Sequence, residues 1–244
     1  MHRALARFRL SLMNIVTAAS LFLFSLMVWV GVLPRVCQFW KSVFSAWLRV
    51  LPLQAELVVK HYRITSSYGL NVPYFDMESV EPSLRVWSLT CGAMILIFIA
   101  TFFLSKKLIP IIYLVRGILI VQATALLYFA LWPAHFPHTP ESYMAALVTA
   151  GIGLISTIPV LFGLTYYIFD FGLLRKVLLT VMTMAHLTLF LPFQVLLQAL
   201  VLQKTVMFMP VLYIIFGMPL DILIIIAFYS WGMTWSFRSD RAPH

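Results

Sequence analysis

Three ionisable side chains lie inside long apolar segments of this sequence: Arg116, His186 and Asp221. A charge deep in hydrocarbon costs a few kcal/mol or more, so each needs a partner, a wet cavity or a route to the lipid headgroups. Counted from the same side of the predicted bundle, all three lie roughly 12–15 Å deep at a rise of 1.5 Å per residue. We therefore predict that Arg116 pairs with Asp221 and that His186 lies close to them.

Such a layer combines a carboxylate, a cation and an imidazole that titrates near neutral pH. It could bind a coupling ion or a charged substrate, or it could be a fixed strut that holds helices together. If the pair does not form, we expect Arg116 to extend towards the headgroups. Asp221 would then bond to backbone groups that Pro219 leaves free.

Prolines recur inside the last three apolar segments, at Pro159, Pro192 and Pro219. Each removes one backbone donor and tends to kink its helix. Polar and small residues lie near them, among them Gln194. Broken helices with polar neighbours line the sites of many transporters, although proline and glycine are also common in ordinary membrane helices.

The composition places these residues in a membrane protein. Of the 244 residues, 62% are hydrophobic and 10% are charged, which leaves too little polar surface for a soluble domain. Apolar runs of about 18 residues or more recur along the chain. The net charge of +9 comes from basic residues at the ends of these runs and in loops. They act there as topology signals and not as a nucleic-acid surface.

We predict an all-α polytopic membrane protein whose residues 1–244 form a single integral-membrane domain. Six spans are expected, at about residues 10–33, 86–104, 108–132, 144–169, 177–202 and 206–231. Pro34 should end the first span, because proline cannot continue the hydrogen-bond ladder of a helix. Residues 34–85 should then form the largest segment outside the bilayer.

The extramembrane loop begins with an amphipathic pattern that predicts a helix over residues 36–51. Its apolar face carries Trp40, Phe44 and Trp47. Aromatic residues on one face and cations on the other are typical of a helix that lies in the membrane interface or docks on a partner. The alternative is packing against the outer ends of the other spans. Residues 56–65 are rich in β-branched and aromatic side chains, which indicates a short strand or hairpin.

Histidines and carboxylates in the loops are further candidates for chemistry: His61, Asp76, His135, His138 and Glu141. His135 and His138 are weak candidates for metal ligands, because no firm third ligand accompanies them, and we predict no metal site and no cofactor. An enzyme acting on a lipid-linked substrate would need these side chains to converge around a cleft. The sequence carries no nucleophile elbow, zinc-protease motif, phosphate-binding loop or dinucleotide fingerprint.

Six spans would place both termini on the same side of the membrane. Basic residues precede the first span, and the loop 133–143 has no lysine or arginine. The positive-inside rule therefore puts the N-terminus inside. We predict a bacterial cytoplasmic membrane protein with both termini in the cytoplasm.

Three classes of function are compatible with these patterns. The first is a non-catalytic subunit or assembly partner of a membrane complex, since the chain lacks a catalytic motif and carries the aromatic helix 36–51. The second is a small transporter or channel subunit that uses Arg116, His186, Asp221 and Gln194. The third is a membrane enzyme acting on a lipid-linked substrate. The expected partners are the lipid bilayer and other membrane proteins, and nucleic acid is not expected.

Overall fold

In the computed structural model, the protein is a helical bundle with a β-hairpin at one end. The structure describes residues 12–63, 68–132, 136–166 and 172–239. It is 78% helical, because a backbone in hydrocarbon must satisfy its hydrogen bonds internally. Within the described residues, five helices are long and apolar enough to cross a membrane. These helices indicate an integral membrane protein.

The elements follow one another as long helices joined by short connections. The helices are α1 (Leu12–Val50), α2 (Leu84–Ala100), α3 (Ile109–Leu131), α4 (Pro140–Thr165), α5 (Leu173–Leu202), α6 (Met209–Phe216) and α7 (Met218–Ser239). The antiparallel strands are β1 (Glu56–Arg63) and β2 (Gly69–Asp76). We call the end of the bundle that carries these strands the hairpin end, and the other the opposite end.

The first helix does not end at Pro34, so this prediction was wrong. α1 continues through the proline for 39 residues, or about 58 Å, well beyond a hydrocarbon core of about 30 Å. Pro34 has no N–H for the carbonyl of Val30, and the Tyr68 hydroxyl donates to that carbonyl instead, at 2.7 Å. The segment 36–51 is therefore the continuation of α1, and a separate interfacial helix is not confirmed.

We expect Tyr68→Phe to lower the free energy of unfolding by about 1 kcal/mol, because it removes the donor to the Val30 carbonyl. Unfolding in mixed micelles measures this change. Tyr113→Phe is the matched control, since Tyr113 is 70% exposed and should tolerate loss of its hydroxyl. Equal stability of the two variants would contradict the role given to Tyr68.

The hairpin predicted near residues 56–65 is confirmed, and its second strand packs on the bundle. β2 contacts α1 and α4, with Phe75 buried against Phe44 at a centroid distance of 4.7 Å. The Tyr74 hydroxyl donates to the Glu141 carboxylate at 3.1 Å. Burial raises the pKa of Tyr74, and the neighbouring Glu141 raises it further. The phenol therefore stays protonated and remains a donor.

The aromatic face expected to dock on a partner is largely buried inside this chain. Trp40 is 0% exposed and Phe44 is 1% exposed, while Trp47 is half-buried against Phe193. The Trp40 indole Nε1 donates to the Thr188 carbonyl of α5 at 2.8 Å. Trp40 and Phe44 are thus buried within this chain by the hydrophobic effect, and they are not accessible to an external partner.

The core lies around α4 and α5, which pack on each other and on α1 and α7. Helix α2 is different: it has 17 residues, none of them buried, and it packs along α3. It is shorter than the five helices that can cross a membrane. Five of the six predicted spans therefore correspond to helices long and apolar enough to cross a membrane, and the sixth is not confirmed.

Candidate functional site

The sixth predicted span is broken in two, and the break is the centre of the candidate site. α6 ends at Phe216 and α7 begins at Met218, with Gly217 extended between them at φ −104° and ψ −156°. Pro219 occupies the first turn of α7, where a missing N–H costs nothing because that group has no intrahelical acceptor. Pro219 was predicted within a helix, and it lies instead where a helix starts.

Two glutamines one helical turn apart on α5 cover this break. Gln198 Nε2 donates to the Phe216 carbonyl at 2.8 Å, an oxygen at the end of α6. Gln198 Oε1 accepts from the Tyr143 hydroxyl of α4. Gln198 is 0% exposed. This short chain of hydrogen bonds therefore satisfies the Phe216 carbonyl, which would have no partner in hydrocarbon.

The second glutamine holds the buried carboxylate. Gln194 Nε2 donates to Asp221 Oδ1 at 2.8 Å, and the two residues are 2% and 3% exposed. Asp221 lies in the first turn of α7, where the helix dipole favours a negative charge. Gln194 Oε1 is buried without a hydrogen-bond partner among the described residues. The sequence analysis grouped Gln194 and Asp221 in one hypothetical ion pathway, but it did not predict the contact between them.

The predicted ion pair between Arg116 and Asp221 is not formed. Arg116 Nε donates to Thr101 Oγ1 at 3.1 Å, and its guanidinium lies 4.6 Å from the ring centroid of Phe102. In the part of the chain that the structure describes, no basic side chain forms an ion pair with Asp221. The Arg116 side chain extends back towards the start of its helix, and the arginine therefore reaches the end of α2 instead of the bundle interior.

His186 does not join Asp221 either. It is exposed on the outer face of α5 and stacks on Phe190 at a centroid distance of 5.6 Å. Eight residues, or about 12 Å, separate it from Gln194 along the helix. The depths counted from sequence were similar, but depth alone does not state which way a side chain faces around a helix.

A small cavity, with no room for a water molecule, adjoins Asp221 between α4, α5 and α7. Its walls are apolar apart from the aspartate, and they consist of Gly151, Leu154, Ile155, Leu187 and Leu191. The site is therefore enclosed in this conformation, with Asp221 at its edge. A transport role would need the walls to separate, so that the carboxylate meets water on one side.

Among the described loop histidines and carboxylates, no three come together. His61 Nδ1 bonds to Asn71 within the hairpin at 2.9 Å, and His138 packs edge-on against Phe136. His135 lies outside the described residues. Among the side chains that the structure does describe, no three of His, Cys, Asp and Glu form a metal-binding group.

Lys176 has a role that the sequence pattern did not indicate. It lies in α5 at the opposite end, is 5% exposed and donates from Nζ to the Tyr166 carbonyl at 2.7 Å. Tyr166 directly follows α4, so the lysine places a cation at the C-terminal end of that helix, where the dipole favours it. In the sequence the same lysine looks like a loop residue that signals topology.

Comparisons of the chain with protein-family models, with curated proteins and with solved structures gave no match. Function therefore has to be argued from the site itself. The site is a helix break in an apolar bundle, with the buried Asp221 carboxylate in the first turn after the break. Gln194 donates to this carboxylate, and Gln198 donates to the last carbonyl before the break.

Proposed function

We propose that this protein is a proton-coupled membrane transporter, or the transport subunit of one, in which Asp221 binds the proton. The observation that carries the proposal is the Asp221 carboxylate, which is buried beside a helix break and paired with an amide instead of a cation. A buried charge without a cation is costly, and a proton removes that cost. Discontinuous helices near mid-membrane are where many transporters hold their coupling ions.

The amide partner suits a carboxyl group that gains and loses a proton. When Asp221 is ionised, Gln194 donates to it through Nε2, as observed. When Asp221 is protonated, a flipped amide accepts the carboxylic proton through Oε1. The partner-free Oε1 is available for that second arrangement. A lysine or arginine in place of Gln194 would hold the carboxylate ionised and prevent the exchange.

The helix break supplies a place for the bundle to move. α6 and α7 are joined at Gly217 by one extended residue, and hinges of this kind absorb rotations between packed elements. Movement of α7 relative to α4 would open the cavity beside Asp221. We propose that proton binding biases this movement, because the neutral carboxyl no longer needs its polar contact at the break.

The proposal places the protein in a bacterial cytoplasmic membrane with both termini in the cytoplasm. Helix α2 would be a short sixth span, because it starts at the hairpin end and is followed by a tight turn into α3. Its 17 residues span about 25 Å, near the lower limit for a membrane helix. The hairpin end would then face outwards.

Charge displacement on a solid-supported membrane tests the proposal without knowledge of the substrate. Proteoliposomes are shifted from neutral to mildly acidic buffer, and the wild type should give a transient current. Asp221→Asn should reduce the current to the level of protein-free liposomes, while Glu78→Gln, which alters an exposed carboxylate, should not. The asparagine can still accept from Gln194, so the fold should survive. A full current from folded Asp221→Asn would refute the assignment.

A second candidate is the one favoured by the sequence, a subunit of a membrane complex. Helix α2 supports it, because a membrane helix with no buried residue offers a complete face to another membrane protein. Purification in mild detergent, with mass spectrometry of co-purifying proteins, tests whether the chain belongs to a complex. Stoichiometric companions would make this chain a transport or assembly subunit, and a stable particle without companions would exclude an obligate complex.

A further inference from the structure

We infer that the turn joining α2 and α3 binds the headgroup phosphate of an anionic phospholipid, through Arg116 together with Lys106 and Lys107. The inference concerns the opposite end of the bundle and does not depend on the proposed proton site. It rests on the orientation of Arg116, on the absence of a carboxylate in this part of the chain, and on the exposure of α2 and of the connecting turn.

The guanidinium of Arg116 lies at the end of α2 and not at the centre of the bundle. Its Nε donates to Thr101 Oγ1 at 3.1 Å, and Thr101 is the residue that caps α2. The rings of Phe98 and Phe102 lie 5.6 Å and 4.6 Å from the guanidinium carbon. These contacts hold the group by one nitrogen and one face, which leaves the donors of the two amino nitrogens for a ligand.

The segment of the chain that contains this cation has no carboxylate. Residues 82–140 contain no aspartate or glutamate, and they carry four basic residues, namely Arg85, Lys106, Lys107 and Arg116. Among the described residues, none forms an ion pair with Arg116. A cation at the edge of hydrocarbon is stabilised by an anion within its reach, and such an anion would come from outside this segment.

The position identifies the anion as a lipid phosphate. Every residue of α2 is at least partly exposed, so this helix would border lipid along its length. Lys106 and Lys107 are exposed in the connecting turn, close to the end that the guanidinium reaches. Basic groups at the ends of membrane helices bind anionic headgroups in this way. The planar fork of arginine also fits two phosphate oxygens at once.

Native mass spectrometry of the full-length chain in neutral detergent tests the inference, with phosphatidylglycerol titrated as the probe. Wild type should bind it more tightly than phosphatidylcholine. Arg116→Gln should weaken binding about ten- to hundredfold, as expected for loss of charge-assisted hydrogen bonds. Arg116→Lys should weaken it less, because the charge remains and the fork is lost. Arg85→Gln, an exposed cation at the hairpin end of the same helix pair, is the matched control.

A second variant and a competing ligand complete the experiment. If Arg116→Gln fails to fold, the double variant Lys106→Gln, Lys107→Gln changes only exposed side chains and should still weaken binding. Inorganic phosphate should compete weakly, because it lacks acyl chains to insert beside α2. Equal binding of phosphatidylcholine, unchanged binding by the Gln variants, or full displacement by inorganic phosphate would each overturn the inference.

Discussion

Gly217→Ala is expected to lower the free energy of unfolding by about 1–3 kcal/mol, the usual cost of forcing extra atoms into a packed site. A Cβ at this position would overlap the carbonyl oxygen of Tyr213. One continuous helix would also be costly, because Pro219 would crowd the carbonyl four residues before it and offer that carbonyl no N–H. Alanine therefore fits neither the break nor its helical alternative.

Unfolding of the Gly217 variant in mixed micelles measures the effect, with Gly153→Ala as control. Gly153 lies within α4 with no atom close to an added Cβ, so alanine there should be neutral or stabilise the helix by up to about 1 kcal/mol. The double variant Gly217→Ala, Pro219→Ala permits a straight helix and should recover stability. It should nevertheless lose the proton-driven current, because straightening moves Asp221 away from Gln194. Recovery of both would show that the break has no functional role.

Trp40→Phe is the second variant expected to have a large effect, about 1–3 kcal/mol, because it leaves a buried carbonyl without a donor. Pro192 has no N–H for the carbonyl of Thr188 four residues earlier, and the Trp40 indole takes its place at 2.8 Å. A double-mutant cycle with Pro192→Ala isolates the contribution of this hydrogen bond to stability, since alanine restores the missing backbone donor. The cost of Trp40→Phe should be clearly smaller in the Pro192→Ala background. Equal costs in both backgrounds would mean that the tryptophan acts by packing alone.

Tyr68 and Trp40 show the same solution at two prolines. In each case the carbonyl four residues before a proline in a long helix accepts from an aromatic side chain that another element supplies. This is why Pro34 does not end α1. The rule that proline breaks a helix assumes that nothing else satisfies the freed carbonyl, and a sequence pattern carries no information on a donor 38 or 148 residues away from that carbonyl.

The polar residues in the membrane illustrate the same limit. Sequence placed Arg116, His186 and Asp221 at one depth, and from depth it predicted a pair. Depth follows from counting residues, but pairing depends on which face of each helix is turned inwards and on which helices are neighbours. Helix packing turned Asp221 towards Gln194 and left His186 outside. The tilt of the Arg116 side chain towards the start of α3 took it to Thr101.

What the sequence by itself determined is the class of the protein: long apolar helices, a hairpin in the first large loop, and a small set of polar residues that hydrocarbon makes expensive. These follow from composition and periodicity, which act locally along the chain. The tertiary structure alone decided that the last apolar segment is broken at Gly217, that Gln194 and Gln198 donate hydrogen bonds at the break, and that Asp221 pairs with an amide. Each of these depends on contacts between distant segments, because a buried polar group takes its partner from whichever helix packs beside it.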